Sequence, residues 1–68
     1  MSGEICVNGR DEPLAAATLA ELLSARGIAD RRGVAVAVNG TVVPSGAWPE
    51  RRLIAGDRVE IVRPFGGG

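Results

Sequence analysis

The sequence predicts an α+β domain, with one helix packed across one face of a small sheet of about five strands. Three observations predict it. Side chains alternate with the period of a strand, apolar with polar at residues 4–8 and 58–63 and large with small at residues 34–38. Two Asn-Gly pairs, Asn8-Gly9 and Asn39-Gly40, follow the first two of these segments and carry the strongest short signal for a tight hairpin. Leu19, Leu22 and Leu23 form an apolar stripe at helical spacing.

Ile5 and Val7 are expected to face the core, leaving Cys6 on the opposite side of the first strand. After the Asn8-Gly9 turn a short strand returns over residues 10–13, and Pro13 marks it as an edge or an end. No activating cation stands near Cys6 in the sequence, which favours a small half-buried side chain over a reactive thiol. Thr18-Leu19-Ala20-Glu21 matches a capping box: Thr18 accepts from the amide of Glu21, and Glu21 reaches back to Thr18. Arg26 is expected in the last turn, where its charge suits the helix dipole. Gly27 suits a left-handed cap, with Ile28 folding back on the last turn. A chain this short offers the leucine stripe no other helix, so the stripe should pack on the sheet.

Residues 29–33 form a polar connector. The next strand alternates valine and alanine, so the valines meet the helix while Ala35 and Ala37 leave the other face flat. Asn39-Gly40 turns the chain into a return strand over residues 41–43, and Pro44 stops it. Ser45 is expected to cap a short helical turn, with Trp48, the only tryptophan, covering one end of the core. Arg51 and Arg52 read as a solvated pair. A tight turn within residues 53–57 leads into the last strand, where Val59 and Ile61 point inward and Arg58, Glu60 and Val62 outward. Pro64 has no amide to donate and ends the pairing.

Composition bounds the function. The chain has 68 residues, 46% of them apolar, which is enough for one domain near the lower size limit for folding without staples. Eight basic and eight acidic residues balance, so charge gives no case for nucleic acid or an anionic membrane as partner. All the basic residues are arginine; without lysine, one copy cannot accept the tail of another. With no histidine and one cysteine, a protein-ligated zinc or iron–sulfur site is not expected. The lone cysteine permits no internal disulfide, which fits a reducing cytoplasm. Residues 1–4 do not read as a signal peptide, and no apolar run approaches membrane-spanning length. The free chain is expected to be a monomer.

The division expected is a folded body over residues 1–63 and a glycine-rich tail over residues 64–68, Pro64-Phe65-Gly66-Gly67-Gly68. Glycines pack no core, but they make a strand thin enough to enter a narrow cleft. The five peptide steps from Arg63 to Gly68 span at most about 17 Å. That reach would place the carboxylate of Gly68 in another protein's active site while the body stays outside.

Val36-Ala37-Val38-Asn39-Gly40, then Val42-Val43-Pro44, Trp48, Gly56-Asp57-Arg58-Val59-Glu60-Ile61 and Gly67-Gly68, in this order and spacing, resemble the sulfur carrier proteins of thiamine biosynthesis. The resemblance covers nearly the whole chain. It implies the ubiquitin-like β-grasp fold, a mixed sheet with its first and last strands adjacent and parallel at the centre. It also implies that an E1-like adenylating enzyme joins Gly68 to AMP using ATP and magnesium. Sulfur supplied through a cysteine desulfurase then replaces AMP, and the resulting thiocarboxylate gives its sulfur to a thiazole synthase. In that scheme this chain is a recycled co-substrate with no catalytic residue and no bound cofactor. Gly66 and Gly67 thread the tail. Gly66 departs from the residue usual in the family, and the role of Phe65 is not carried over from it. Alternation and position put Val62, Phe65, Arg58 and Glu60 on the surface beside the tail, as candidate docking residues. Three other readings stay open: the small subunit of a molybdopterin synthase, a ubiquitin-like protein modifier, and a β-grasp module that only mediates interaction.

Overall fold

A computed structural model describes residues 3–28 and 32–63. The chain order is β1 (Glu4–Val7), β2 (Arg10–Pro13), α1 (Leu19–Ala25), β3 (Ala35–Val38), β4 (Thr41–Val42), a single 3-10 turn (Ser45–Ala47) and β5 (Arg58–Val62). One sheet holds all five strands in the order β2-β1-β5-β3-β4. β1 and β5 run parallel, while every other neighbouring pair is antiparallel. This is the β-grasp arrangement that the resemblance implies. Residues 29–31 of the connector, and Pro64, Phe65, Gly66, Gly67 and Gly68, lie outside the described residues.

Local chemistry sets the turns. Asn8 and Asn39 have φ of 52° and 54°, and the glycines after them have 85° and 83°. Two successive positive φ values define the type I′ turn, whose twist matches that of the flanking strands. β2 and β4 are thereby placed at the two sheet edges, and β4 is shorter than the three residues expected.

The helix ends also follow the sequence, with three differences. Thr18 is the N-cap and accepts from the amide of Glu21 at 3.2 Å. The Glu21 carboxylate, however, accepts from the amide of Ala17 at 3.1 Å, one residue earlier than a capping box provides. The chain here is held extended against residues 51–53 by bonds from Leu19 N to Arg51 O and from Leu53 N to Ala17 O, and this presents the Ala17 amide to the carboxylate. At the other end Gly27 N donates to Ser24 O and Ile28 N to Leu23 O, both at 3.0 Å, which is a Schellman closure with Gly27 at φ 80°. Arg26 is the C-cap residue, beyond the last turn, and its guanidinium reaches across to Glu12 on β2 at 3.1 Å. Ser45 is the first residue of the 3-10 turn and Pro44 holds the cap position, with no side-chain cap bond. Proline has its φ preset for that start.

One face of the sheet and the leucine stripe form the core. Ile5, Val7, Leu19, Leu22, Leu23, Val36, Val38, Trp48, Leu53, Val59 and Ile61 are buried together. Trp48 closes one end, and its indole N–H donates to the carbonyl of Val43 at 2.9 Å. None of the described helices is long and apolar enough to cross a membrane.

Two predictions follow from this packing. Leu22→Ala and Ile61→Ala should each cost about 2–5 kcal/mol, a large part of the margin of a small domain. Chemical denaturation checks this; midpoints unchanged from the parent would show that the core face is misassigned. Asn8→Gly keeps the positive φ but removes the side-chain amide, which bonds to Ile61. Although glycine suits the turn, the variant should lose about 1–3 kcal/mol, and a gain in stability would show that the amide contributes nothing.

Candidate functional site

β5 is the strand that leads toward the tail, and it lies in the middle of the sheet. On one side it bonds to β1 through Cys6 N to Asp57 O and Asn8 N to Val59 O, both at 2.9 Å. β1 then ends as the chain turns away into its hairpin. The side chain of Asn8 supplies the next rung: Oδ1 accepts from the amide of Ile61 at 2.8 Å, and Nδ2 donates to the Ile61 carbonyl at 3.2 Å. A side-chain amide here stands in for a backbone one, with one donor and one acceptor in the right places.

Asn39 does the corresponding work on the β3 side. Its backbone N–H donates to the carbonyl of Arg58 at 2.7 Å, and its Oδ1 accepts from the Arg58 amide at 2.9 Å. Its Nδ2 donates to Oδ1 of Asp57 at 3.0 Å. Asp57 is only 3% exposed. Its Oδ2 accepts from the amide of Ile54 at 2.9 Å, and Arg51 Nη1 lies 3.6 Å from it. A buried carboxylate needs such partners, because its lost hydration is otherwise uncompensated. Arg51 is therefore held by Asp57 and by the carbonyl of Arg52, while Arg52 stays exposed, so the two are not a solvated pair.

The face of the sheet away from the helix carries three of the four predicted docking residues, Phe65 lying outside the described residues. Arg58, Glu60 and Val62 are exposed on it, and Val62 is 63% exposed. The register sets Cys6 beside Arg58, Ala37 beside Glu60, and Ala35 beside Val62. Cys6 is half-buried and unbonded to another cysteine. Asn39, Gly40, Arg58 and Glu60 line a shallow depression at the β3–β4 end of this face. The sequence reading missed Val42, which pairs with Ala37 and is 70% exposed. The two-residue turn would have found it, because that turn fixes Val42 opposite Ala37 on the same face. The low alanines thus lie between two projecting valines, with Glu60 in register with Ala37. Among the described residues, no group of three or more Cys, Asp and Glu side chains is placed to hold a metal ion. This face offers, among the described residues, apolar contact, the charges of Arg58 and Glu60, and the carboxylates of Glu4 and Asp11 on the Cys6 side.

Comparison with known proteins bears on this arrangement. The ThiS family model matches residues 5–68. A crystal structure of the thiamine biosynthesis protein ThiS from Geobacter metallireducens is 34% identical, with a TM-score of 0.76, over 96% of this chain and 99% of that one. A solution NMR structure of a thiamine biosynthesis protein from the same organism gives 34% identity and a TM-score of 0.77, over 96% of this chain and 87% of that one. No curated protein matches. The family model spans the sheet, the helix and the glycine-rich segment together, and the fold agrees over almost the full length of a relative: the chain belongs to the ThiS family of small sulfur carrier proteins of thiamine biosynthesis.

Proposed function

We propose that this chain carries sulfur as a thiocarboxylate on Gly68 and delivers it to thiazole formation. The observation that carries this reading is the family match, which runs through the glycine segment to residue 68. The position of the segment supports it. Val62, the last residue of the central strand, stands six positions before Gly68, so the body can serve as a rigid handle for a thin tail.

The chemistry follows from the weakness of a carboxylate as an electrophile. An E1-like adenylating enzyme binds ATP and magnesium. A Gly68 carboxylate oxygen attacks the α-phosphate, and pyrophosphate leaves. The acyl-adenylate then has AMP as its leaving group. The terminal sulfur of a cysteine persulfide, supplied through a cysteine desulfurase, attacks the acyl carbon and expels AMP. A second thiol cleaves the sulfur–sulfur bond, leaving a thiocarboxylate on this chain and a disulfide on the donor. Thiazole synthase takes the sulfur, and hydrolysis returns the carboxylate. This chain binds no cofactor in the cycle and supplies no acid or base; its work is presentation, in the cytoplasm where these enzymes operate.

Presentation requires that a partner swallowing the tail also meet the surface beside it. Val62 and Phe65, with Val42 across the alanines, would give the apolar contact, while Arg58 and Glu60 set orientation more than affinity. Gly66 and Gly67 would thread the partner's channel, where a Cβ would collide.

Two predictions test this. Deleting Gly68 should abolish ATP-dependent exchange of one oxygen for sulfur, read by intact mass, while the melting temperature is unchanged; Gly67→Val should lose most of it. Exchange that persists in the deletion would remove Gly68 from the mechanism. In titrations on folded variants, Val62→Asp and Phe65→Ala should weaken binding to the adenylating enzyme and to the synthase by about tenfold or more, an interface loss of ~1.4 kcal/mol or greater. Charge changes at Asp30 and Arg31, in the connector, should have little effect. Equal losses from both groups would move the docking surface elsewhere.

A further inference from the structure

The two asparagines that hold β5 are each followed by glycine, and this pairing is chemically labile. The backbone nitrogen after an asparagine can attack the side-chain Cγ, and a glycine there has no Cβ to shield it. In this fold the Asn39 amide is held by two bonds, from Arg58 N to Oδ1 at 2.9 Å and from Nδ2 to Asp57 Oδ1 at 3.0 Å. Turning Cγ toward the Gly40 nitrogen breaks both. Local opening of the β3–β4 turn frees the amide.

We propose that Asn39-Gly40 is a deamidation site guarded by the fold, and that its product loses the donor that Asn39 presents to Asp57 at the start of β5. The deprotonated Gly40 nitrogen attacks Cγ of Asn39. A nitrogen–carbon bond forms, the Cγ–Nδ2 bond breaks, and Nδ2 leaves as ammonia. Water opens the five-membered imide at either carbonyl, giving aspartate or isoaspartate. One water enters, one ammonia leaves, and nothing is oxidised or reduced.

The consequence lies in what Nδ2 faces. Its partner is the buried carboxylate of Asp57, whose other oxygen accepts from the Ile54 amide at 2.9 Å and lies 3.6 Å from Arg51 Nη1, so that Arg51 offsets only one of the two charges. Aspartate at position 39 sets acceptor against acceptor, and brings a second negative charge to hydrogen-bond distance of a carboxylate that is itself shielded from water. Isoaspartate adds a backbone carbon to the turn and disrupts the β3–β4 register. Asn8 is different: its Nδ2 faces the neutral carbonyl of Ile61 at 3.2 Å, so deamidation there opposes a dipole rather than a charge. Position 39 is therefore where this ageing reaction unlocks the strand that leads to the tail.

The test separates the charge clash from a general loss of stability. Asn39→Asp should lower the thermal midpoint by about 10 °C, and Asn8→Asp by less than half of that. Adding Asp57→Asn to Asn39→Asp restores a donor opposite the carboxylate and should recover at least half of the loss. If Asn39→Asp alone does not fold, folding of the double variant supports the proposal and its failure to fold overturns it. A midpoint for Asn39→Asp within about 2 °C of the parent, or a double variant no better than the single one, also overturns it. Incubation of the parent at mildly alkaline pH, followed by peptide mapping, supplies the second arm. Isoaspartate at position 39 should accumulate about tenfold faster in urea than in the folded protein, and equal rates would show that the fold guards nothing.

Discussion

A strand in the middle of a sheet must satisfy its amides and carbonyls along both edges, and in this fold β5 meets that demand with neighbours that end early. β1 stops at Val7 and β3 at Val38, each because a hairpin begins there. The two turn asparagines answer the shortage. Asn8 completes the β1 side at Ile61, and Asn39 completes the β3 side at Arg58. With β5 fixed in register, Val59 and Ile61 are committed to the helix side and Arg58, Glu60 and Val62 to the open side. A slip of one residue would exchange the two sets, so the open face and the core are specified by the same bonds.

Features governed by near neighbours in the chain were legible from sequence. The two Asn-Gly turns, the Thr18 cap, the Gly27 closure and the alternation in β1, β3 and β5 all depend on residues within a few positions. The strand order was not legible from periodicity, because alternation says which side a residue faces and nothing of which strand lies beside it; the resemblance supplied the central parallel pair. Asp57 shows the limit most clearly. Beside Gly56 it reads as a turn residue, yet it is buried, and its Oδ1 partner Asn39 stands 18 positions away. An Asn-Gly pair signals a backbone angle alone. The side-chain bonds of the two asparagines depend on β5, which approaches only when the sheet is assembled. Glu21 fell one residue off its expected partner for the same reason: residues 51–53, not the helix, decide which amide is presented.

The two sheet faces divide their chemistry by residue size. Branched side chains, Val36, Val38, Val59 and Ile61, fill the space under the helix, while Ala35 and Ala37 keep the opposite side low between Val42 and Val62. A flat face with a few projecting apolar groups suits a modest interface that forms and separates readily. Under the proposed role this is a useful property, since a carrier held too tightly by one enzyme would not reach the next.

The parallel contact between the first and last strands also governs when the molecule can exist. Asn8 and Ile61, 53 positions apart, are joined through the asparagine side chain. While a ribosome still encloses the final strand, β1 and β3 share no neighbour, and the apolar residues beneath the helix lack Val59 and Ile61. Pairing across so long a loop is slow to nucleate and late to be rewarded. Folding therefore waits on synthesis of the final strand, and a nascent chain has no assembled face to show to a partner before that strand is free.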